Sequence, residues 1–266
     1  MFFVDSHLHL DLLYKEARPA VEMLLRIGCL PVSWAFSRDV RTCSDLERYL
    51  EGRSRFFGKI RKELLHCYYL VGIHPRNIPS DLDSESVHPL LSPLLEDPMC
   101  LGIGEIGLET GSEREKEIFR AQLNMAGVAA RKGKVIGIHT PRNEKEGVTS
   151  MILDILDDYS AWKDSMVVDH CTPQTIGRVL SSGLWAGITV SPPKSSIVDV
   201  KKILQEHSSL SGKIMLNTDS GDILYEDLYR ISASGNIPGP LKRAVTRDNA
   251  CRFFGINPEA RMPVSV

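Results

Sequence analysis

The sequence predicts a single α/β domain over residues 1–266, a (β/α)8 or TIM barrel, from three observations. Short apolar runs rich in Val, Ile and Leu alternate with longer amphipathic stretches from end to end. The runs are mostly apolar throughout, as strands are when helices cover both faces of a parallel sheet. Eight such runs, with no linker, repeat or low-complexity tract, suit a closed barrel, for which ~250 residues is a routine length.

In chain order the strand candidates are Phe2–His9, Cys29–Phe36, Tyr68–His74, Cys100–Glu105, Val135–His139, Met166–His170, Trp185–Val190 and Ile214–Asp219. Pro75, Pro141, Pro192-Pro193 and Gly221 fall just after the third, fifth, seventh and eighth runs, where loops should begin. Between the fourth and fifth runs, Glu113–Lys132 has a helical pattern, with apolar or small residues at Ile118, Ala121, Gln122-Leu123, Met125 and Val128. Met151–Asp158, Arg178–Leu180 and Asp199–Glu206 supply helical patterns before the sixth, seventh and eighth runs.

Composition bounds the function. Of 266 residues 42% are apolar, enough for a substantial core. Charge is nearly balanced, with 32 basic against 34 acidic residues, so any attraction of an anionic substrate must be local to a site. No stretch approaches ~18 uninterrupted apolar residues and no leader pattern opens the chain, so a soluble, cytoplasmic protein without a membrane partner is expected. Six scattered cysteines without a CxxC pair suit neither disulfides nor a zinc knuckle; Cys29, Cys67 and Cys100 read as small buried hydrophobes, and Cys171 is set apart because it follows His170. No motif specifies an obligate protein partner, and monomer and homo-oligomer both stay open.

In such barrels the chemistry sits at the C-terminal ends of the strands. Those ends carry His7 and His9 on the first strand, His74 on the third, Glu105 on the fourth, His139 on the fifth, His170 on the sixth and Asp219 on the eighth. Alternate strand residues share a face, so His7 and His9 aim both imidazoles at one point. Each residue alone is compatible with a structural role, but five of the eight histidines gather at these ends. Four imidazoles and two carboxylates can hold two divalent cations, one carboxylate bridging.

At this point the chain resembles the amidohydrolase superfamily and, within it, the TatD-type metal-dependent hydrolases. The matching pieces are Asp5-Ser-His-Leu-His9, Gly72-Ile-His-Pro75, Gly102-Ile-Gly-Glu-Ile-Gly107, Phe119-Arg-Ala-Gln-Leu123, Gly137-Ile-His139, Asp169-His-Cys171, Asn217-Thr-Asp219 and Asp248-Asn249 before Phe253-Phe-Gly255. The resemblance implies that His7, His9, Glu105 and Asp219 hold one metal. It implies that Glu105, His139 and His170 hold the other, with Glu105 bridging. Three pieces depart from the family pattern. His170-Cys-Thr-Pro173 stands for His-Cys-Phe-Ser-Gly, and Asn217-Thr-Asp-Ser-Gly221 for Glu-Thr-Asp-x-Pro. His139-Thr-Pro-Arg142 shifts the arginine after the fifth strand by one. The expected metal shell is untouched, whereas the substrate-facing loops differ.

Two metals ~3.5–4 Å apart lower the pKa of a bridging water and polarise a phosphoryl or carbonyl group. Asp219 is expected to orient that water and take its proton, with Glu105 as the bridging catalytic ligand. The ion pair is expected to be zinc, manganese, magnesium, nickel or iron, which His and carboxylate ligands all accept. Arg38, Arg76, Arg142 and Lys194 follow the second, third, fifth and seventh strands, and a ring of cations there suits a phosphorylated substrate. His74 is expected to contact substrate or donate a proton rather than bind metal. The expected function is phosphodiester hydrolysis of deoxyribonuclease type, on a small phosphate ester or a nucleic-acid 3′ end. Rivals are hydrolysis of a cyclic amide or lactone, and a metal-stabilised binding protein without turnover.

Overall fold

The computed structural model describes residues 2–63 and 66–257. Its strands are β1 (Phe3–Leu8), β2 (Cys29–Ser33), β3 (Tyr68–Val71), β4 (Cys100–Gly107), β5 (Val135–His139), β6 (Met166–Val168), β7 (Trp185–Thr189) and β8 (Ile214–Asn217). All lie parallel, each hydrogen-bonded to the next in sequence order. Helices fill the connections, so the architecture is the expected (β/α)8 barrel. Among the described residues no helix is long and apolar enough to cross a membrane.

The ring closes between β1 and β8 through bonds that place functional residues. Asp219 N donates to the His7 carbonyl (2.9 Å) and His9 N to the Ser220 carbonyl (2.7 Å). Below them the Ser6 hydroxyl donates to the Leu216 carbonyl at 3.0 Å. The buried Asp5 carboxylate accepts from Thr218 N (3.0 Å) and Thr218 Oγ1 (2.6 Å). Burial pushes the Asp5 carboxyl up to about 7, against the pull of those hydrogen bonds.

Successive strand side chains alternate, so each strand feeds two clusters. Phe3, Ile103 and Ile136 pack toward the helices, whereas Val4, Val32, Leu70, Val167 and Met215 pack together with Trp34 in a second cluster. Phe253 and Phe254 of the last helix, Asn249–Phe254, join that second cluster. Trp34 needs Gly137 opposite it, since a Cβ there would stand 2.5 Å from the indole ring.

Two expectations shift. Four strands end earlier than the apolar runs that close on His9, His74, His170 and Asp219, because the ladder between neighbouring strands stops at Leu8, Val71, Val168 and Asn217, although His74 itself stays extended. His170 and Asp219 adopt left-handed φ values of 58° and 54°. The helix expected over Glu113–Lys132 is two, Glu113–Leu123 and Ala126–Arg131. The break comes where Met125 N turns back to the Gln122 carbonyl, three residues away (3.1 Å). Gln122 is not merely part of the apolar stripe. Its buried carboxamide accepts from Ile73 N (2.8 Å) and donates to the Ile73 carbonyl (3.1 Å), tying this helix to the backbone just before His74.

Candidate metal centre

The strand ends bring His7, His9, His74, Glu105, His139, His170 and Asp219 to the floor of a cleft of about 720 Å³ or its immediate wall. Glu105 is at the centre, 1% exposed. Its Oε2 faces His7 Nε2 (3.4 Å) and His9 Nε2 (3.8 Å). Its Oε1 faces His139 Nδ1 (2.6 Å), His170 Nε2 (3.2 Å) and His74 Nε2 (3.7 Å). Asp219 Oδ1 completes the first group, 3.1 Å from His9 Nε2 and 3.7 Å from His7 Nε2. One carboxylate thus presents an oxygen to each of two groups of ligand-type side chains.

Hydrogen bonds on the far side of two imidazoles decide which nitrogen carries the proton. His7 Nδ1 donates to the Asp169 carboxylate, and His9 Nδ1 donates to the Trp34 carbonyl at 3.1 Å. Asn217 Nδ2 donates to Asp169 Oδ1 (2.8 Å), so its Oδ1 accepts from the Thr189 hydroxyl (2.8 Å). The Thr189 oxygen, its proton spent, faces His170 Nδ1 at 2.7 Å. The Lys194 ammonium stands 2.9 Å from the same nitrogen and can only donate to it, so two opposed contacts meet at His170. His7 and His9 therefore each turn an Nε2 lone pair toward carboxylate oxygens. His7 Nε2 is buried and has no hydrogen-bond partner among the described residues. Lone pairs facing lone pairs repel unless a cation lies between them, and this donor set of imidazole and carboxylate fits divalent ions.

His74 behaves differently. Its Nδ1 accepts from Arg76 N at 3.0 Å, which leaves the proton of the neutral ring on Nε2. Although His74, Glu105 and His139 lie close enough to form a ligand triplet, an Nε2–H cannot coordinate. Burial holds His74 down at about 4, so it stays a neutral donor.

The electrostatics follow the same layout. Burial would raise Glu105, yet His7, His74 and His139 hold it well below the usual carboxylate range. Burial works against charge on His7, but Glu105 and Asp169 lift it to about 10, a proton serving where a cation fits. His170 is pulled down to about 3 by burial and by Lys194.

The loop cations are less uniform than their spacing suggests. Arg38 pairs with Asp222, and Arg76 with Glu109 at 2.7 Å. Lys194 is not at the rim: its Nζ donates to Asp219 Oδ2, inside the cluster. Arg142 lies exposed on the cleft wall.

Several residues have no signal in spacing. Trp34 stacks on His7 at 4.1 Å and 11°, and its Nε1 donates to the Ser6 carbonyl (2.9 Å). Glu109 reaches His139 Nε2 at 3.0 Å. Gly187 leaves space for Asp169, because a Cβ there would stand 2.0 Å from Asp169 Oδ1. Cys171 is buried, with Sγ against the Val168 carbonyl, and burial pushes its thiol up to about 12, which removes it as a nucleophile.

Comparison with known proteins agrees with this arrangement. A family model described as TatD related DNase matches residues 4–252. The chain is 29% identical over 239 residues to the uncharacterized metal-dependent hydrolase MJ0761 of Methanocaldococcus jannaschii, covering 86% of this chain and 87% of that one. Its fold is similar to that of a TatD-like protein of Archaeoglobus fulgidus, with a TM-score of 0.73, 27% identity, and coverage of 95% of this chain and all of that one. The TatD homologue YjjV of Escherichia coli shares the fold at a TM-score of 0.60 and 16% identity, with 96% of this chain and 94% of that one covered. With the family model matching nearly its whole length, this chain belongs to the TatD-related DNase family.

Proposed function

We propose that this chain hydrolyses phosphodiesters with two divalent cations held at the C-terminal mouth of the barrel. The observation that carries this reading is the convergence of the Nε2 atoms of His7, His9 and His170 on Glu105 and Asp219. His7, His9, Glu105 and Asp219 would hold one ion, and Glu105, His139 and His170 the other. When bound, such ions supply Lewis acidity toward the scissile group and activate water near neutral pH.

The protein's own groups do the rest. Lys194 engages Asp219 Oδ2, leaving Oδ1 toward His9 and the attacking water, whose proton it accepts. His74 Nε2–H, buried and neutral, contacts the substrate or protonates the leaving oxygen. Phe36 packs against both His9 and His74 and gives the cleft an apolar wall. Arg38, Arg76 and Arg142 stand where an anionic substrate enters, which favours phosphate esters over neutral lactones and amides.

The test is a panel of a 3′-labelled single-stranded oligonucleotide, bis(p-nitrophenyl) phosphate, lactones and cyclic amides, each with Mn²⁺, Mg²⁺ or Zn²⁺. Metal-dependent cleavage of the phosphodiesters, reduced ~10²–10⁴-fold by Asp219→Asn, is expected. Turnover confined to lactones or amides would overturn the phosphodiester assignment.

A further inference from the structure

The cleft holds cations with no carboxylate partner. Arg38, Arg76 and Lys194 each have a carboxylate partner. Lys145 and Arg142 have none within ion-pair distance among the described residues, though both line the cleft. Lys145 Nζ donates to Thr140 Oγ1 (2.7 Å) and to the Thr140 carbonyl (3.2 Å). An ammonium has three protons, so one is left over. Burial, together with nearby Lys194, pulls Lys145 down to about 8, as expected of an amine short of counter-charge.

Lys145 also opens the 13-residue helix Lys145–Asp157, whose N-cap residue Glu144 provides no side-chain cap. Uncapped first-turn N–H groups favour an anion. An independent observation comes from the loop after β7. Ser191 is 3% exposed, lines the same cleft, and its Oγ has no hydrogen-bond partner among the described residues. A buried hydroxyl in that state is costly unless a ligand completes it. Of the acids that act on this side, Asp169 is engaged by His7 and Asn217, Glu109 by Arg76 and His139, and Asp199 by capping Ser196, while Glu146 stands exposed in the first turn of the helix.

We propose that the β5–β7 side of the cleft is an anion subsite for a phosphoryl group other than the one cleaved, held by Lys145, Arg142 and the Ser191 hydroxyl. The assignment of that group to substrate rests on the phosphodiester reading, but its binding requires neither metal nor turnover. The next phosphate of a polynucleotide and a free phosphate ion present the same chemistry, and two experimental arms separate them.

In the first arm, the chelator-treated full chain is titrated with inorganic phosphate by calorimetry at pH 7. Binding is expected, weakened at least ~10-fold by Lys145→Met and severalfold by Ser191→Ala or the exposed Arg142→Gln. Lys213→Met, an equal charge loss outside the cleft, should leave it unchanged. No phosphate binding by the wild type, or equal weakening by Lys213→Met, overturns the subsite. In the second arm, metal-loaded enzyme is given TpT, with one phosphate, and TpTpT, with two. A preference for TpTpT that Lys145→Met abolishes, with TpT unaffected, supports a substrate phosphate; phosphate binding without that preference overturns it. Lys145-dependent phosphate binding in a chain that cleaves no phosphodiester would sink the hydrolytic reading and support the subsite.

Discussion

At the scale of residues, the site is set by what each imidazole touches on its far side. Asp169 is the sharpest case, since it fixes the His7 tautomer while Asn217 holds its other oxygen. Replacing it with Asn swaps a charged acceptor for an amide that can rotate its NH₂ toward His7. Asp169→Asn should keep the fold and lower divalent-metal affinity ~10–100-fold, measured by calorimetric titration. Lys145 gives a pH signature. Its folded pKa of about 8 lies below its usual value, so the unfolded chain binds the extra proton between about 8 and the normal lysine range. The folded state is thus penalised at neutral pH and relieved as pH rises. The stability difference between Lys145→Met and wild type should favour the variant at pH 7 and shrink as pH climbs through that window, read by denaturant titration. Little of this was legible beforehand. Trp34, Asp169, Asn217 and Thr189 come from four different strand ends, and only the closed ring brings them together. Lys194 follows its strand like a rim cation, yet its long stem carries the ammonium inward to Asp219.

At the scale of elements, the helix Glu113–Leu123 shows how packing positions chemistry. Gln122 satisfies both backbone groups of Ile73, and His74 follows directly. Leucine would keep the volume but leave an N–H and a carbonyl unpaired in the core. Gln122→Leu should cost about 1–3 kcal/mol in chemical denaturation, and it should raise KM by loosening His74. The strands themselves were readable because burial on both faces makes them continuous apolar runs. Their ends were readable only approximately, since apolar patterning does not record where the ladder stops. At His170 and Asp219 the chain enters left-handed geometry before the apolar pattern gives any sign of it. The ring of ligand-type residues was legible all the same, because parallel strands in sequence order put every C-terminal end at one mouth.

At the scale of the whole molecule, charge is nearly balanced, and basic and acidic side chains line the cleft in equal number. The seam between β1 and β8 matters most: it sets His7 and His9 against Asp219, residues more than 200 positions apart in the chain. The proposed ligands come from β1, β4 and β5 and from just beyond β1, β6 and β8 and must be in place together, so metal should bind the folded barrel and not the unfolded chain. Stability should therefore rise with metal, by about 2.7 kcal/mol at a free concentration 100 times Kd for each such site. The decisive measurement is a calorimetric titration of the chelator-treated protein with Mn²⁺, in the wild type and in Glu105→Gln. Two ions per chain in the wild type and at most one, weakly held, in Glu105→Gln is the predicted result. A wild type that takes up no ion, or a single ion bound equally well by Glu105→Gln, would contradict a centre bridged by Glu105.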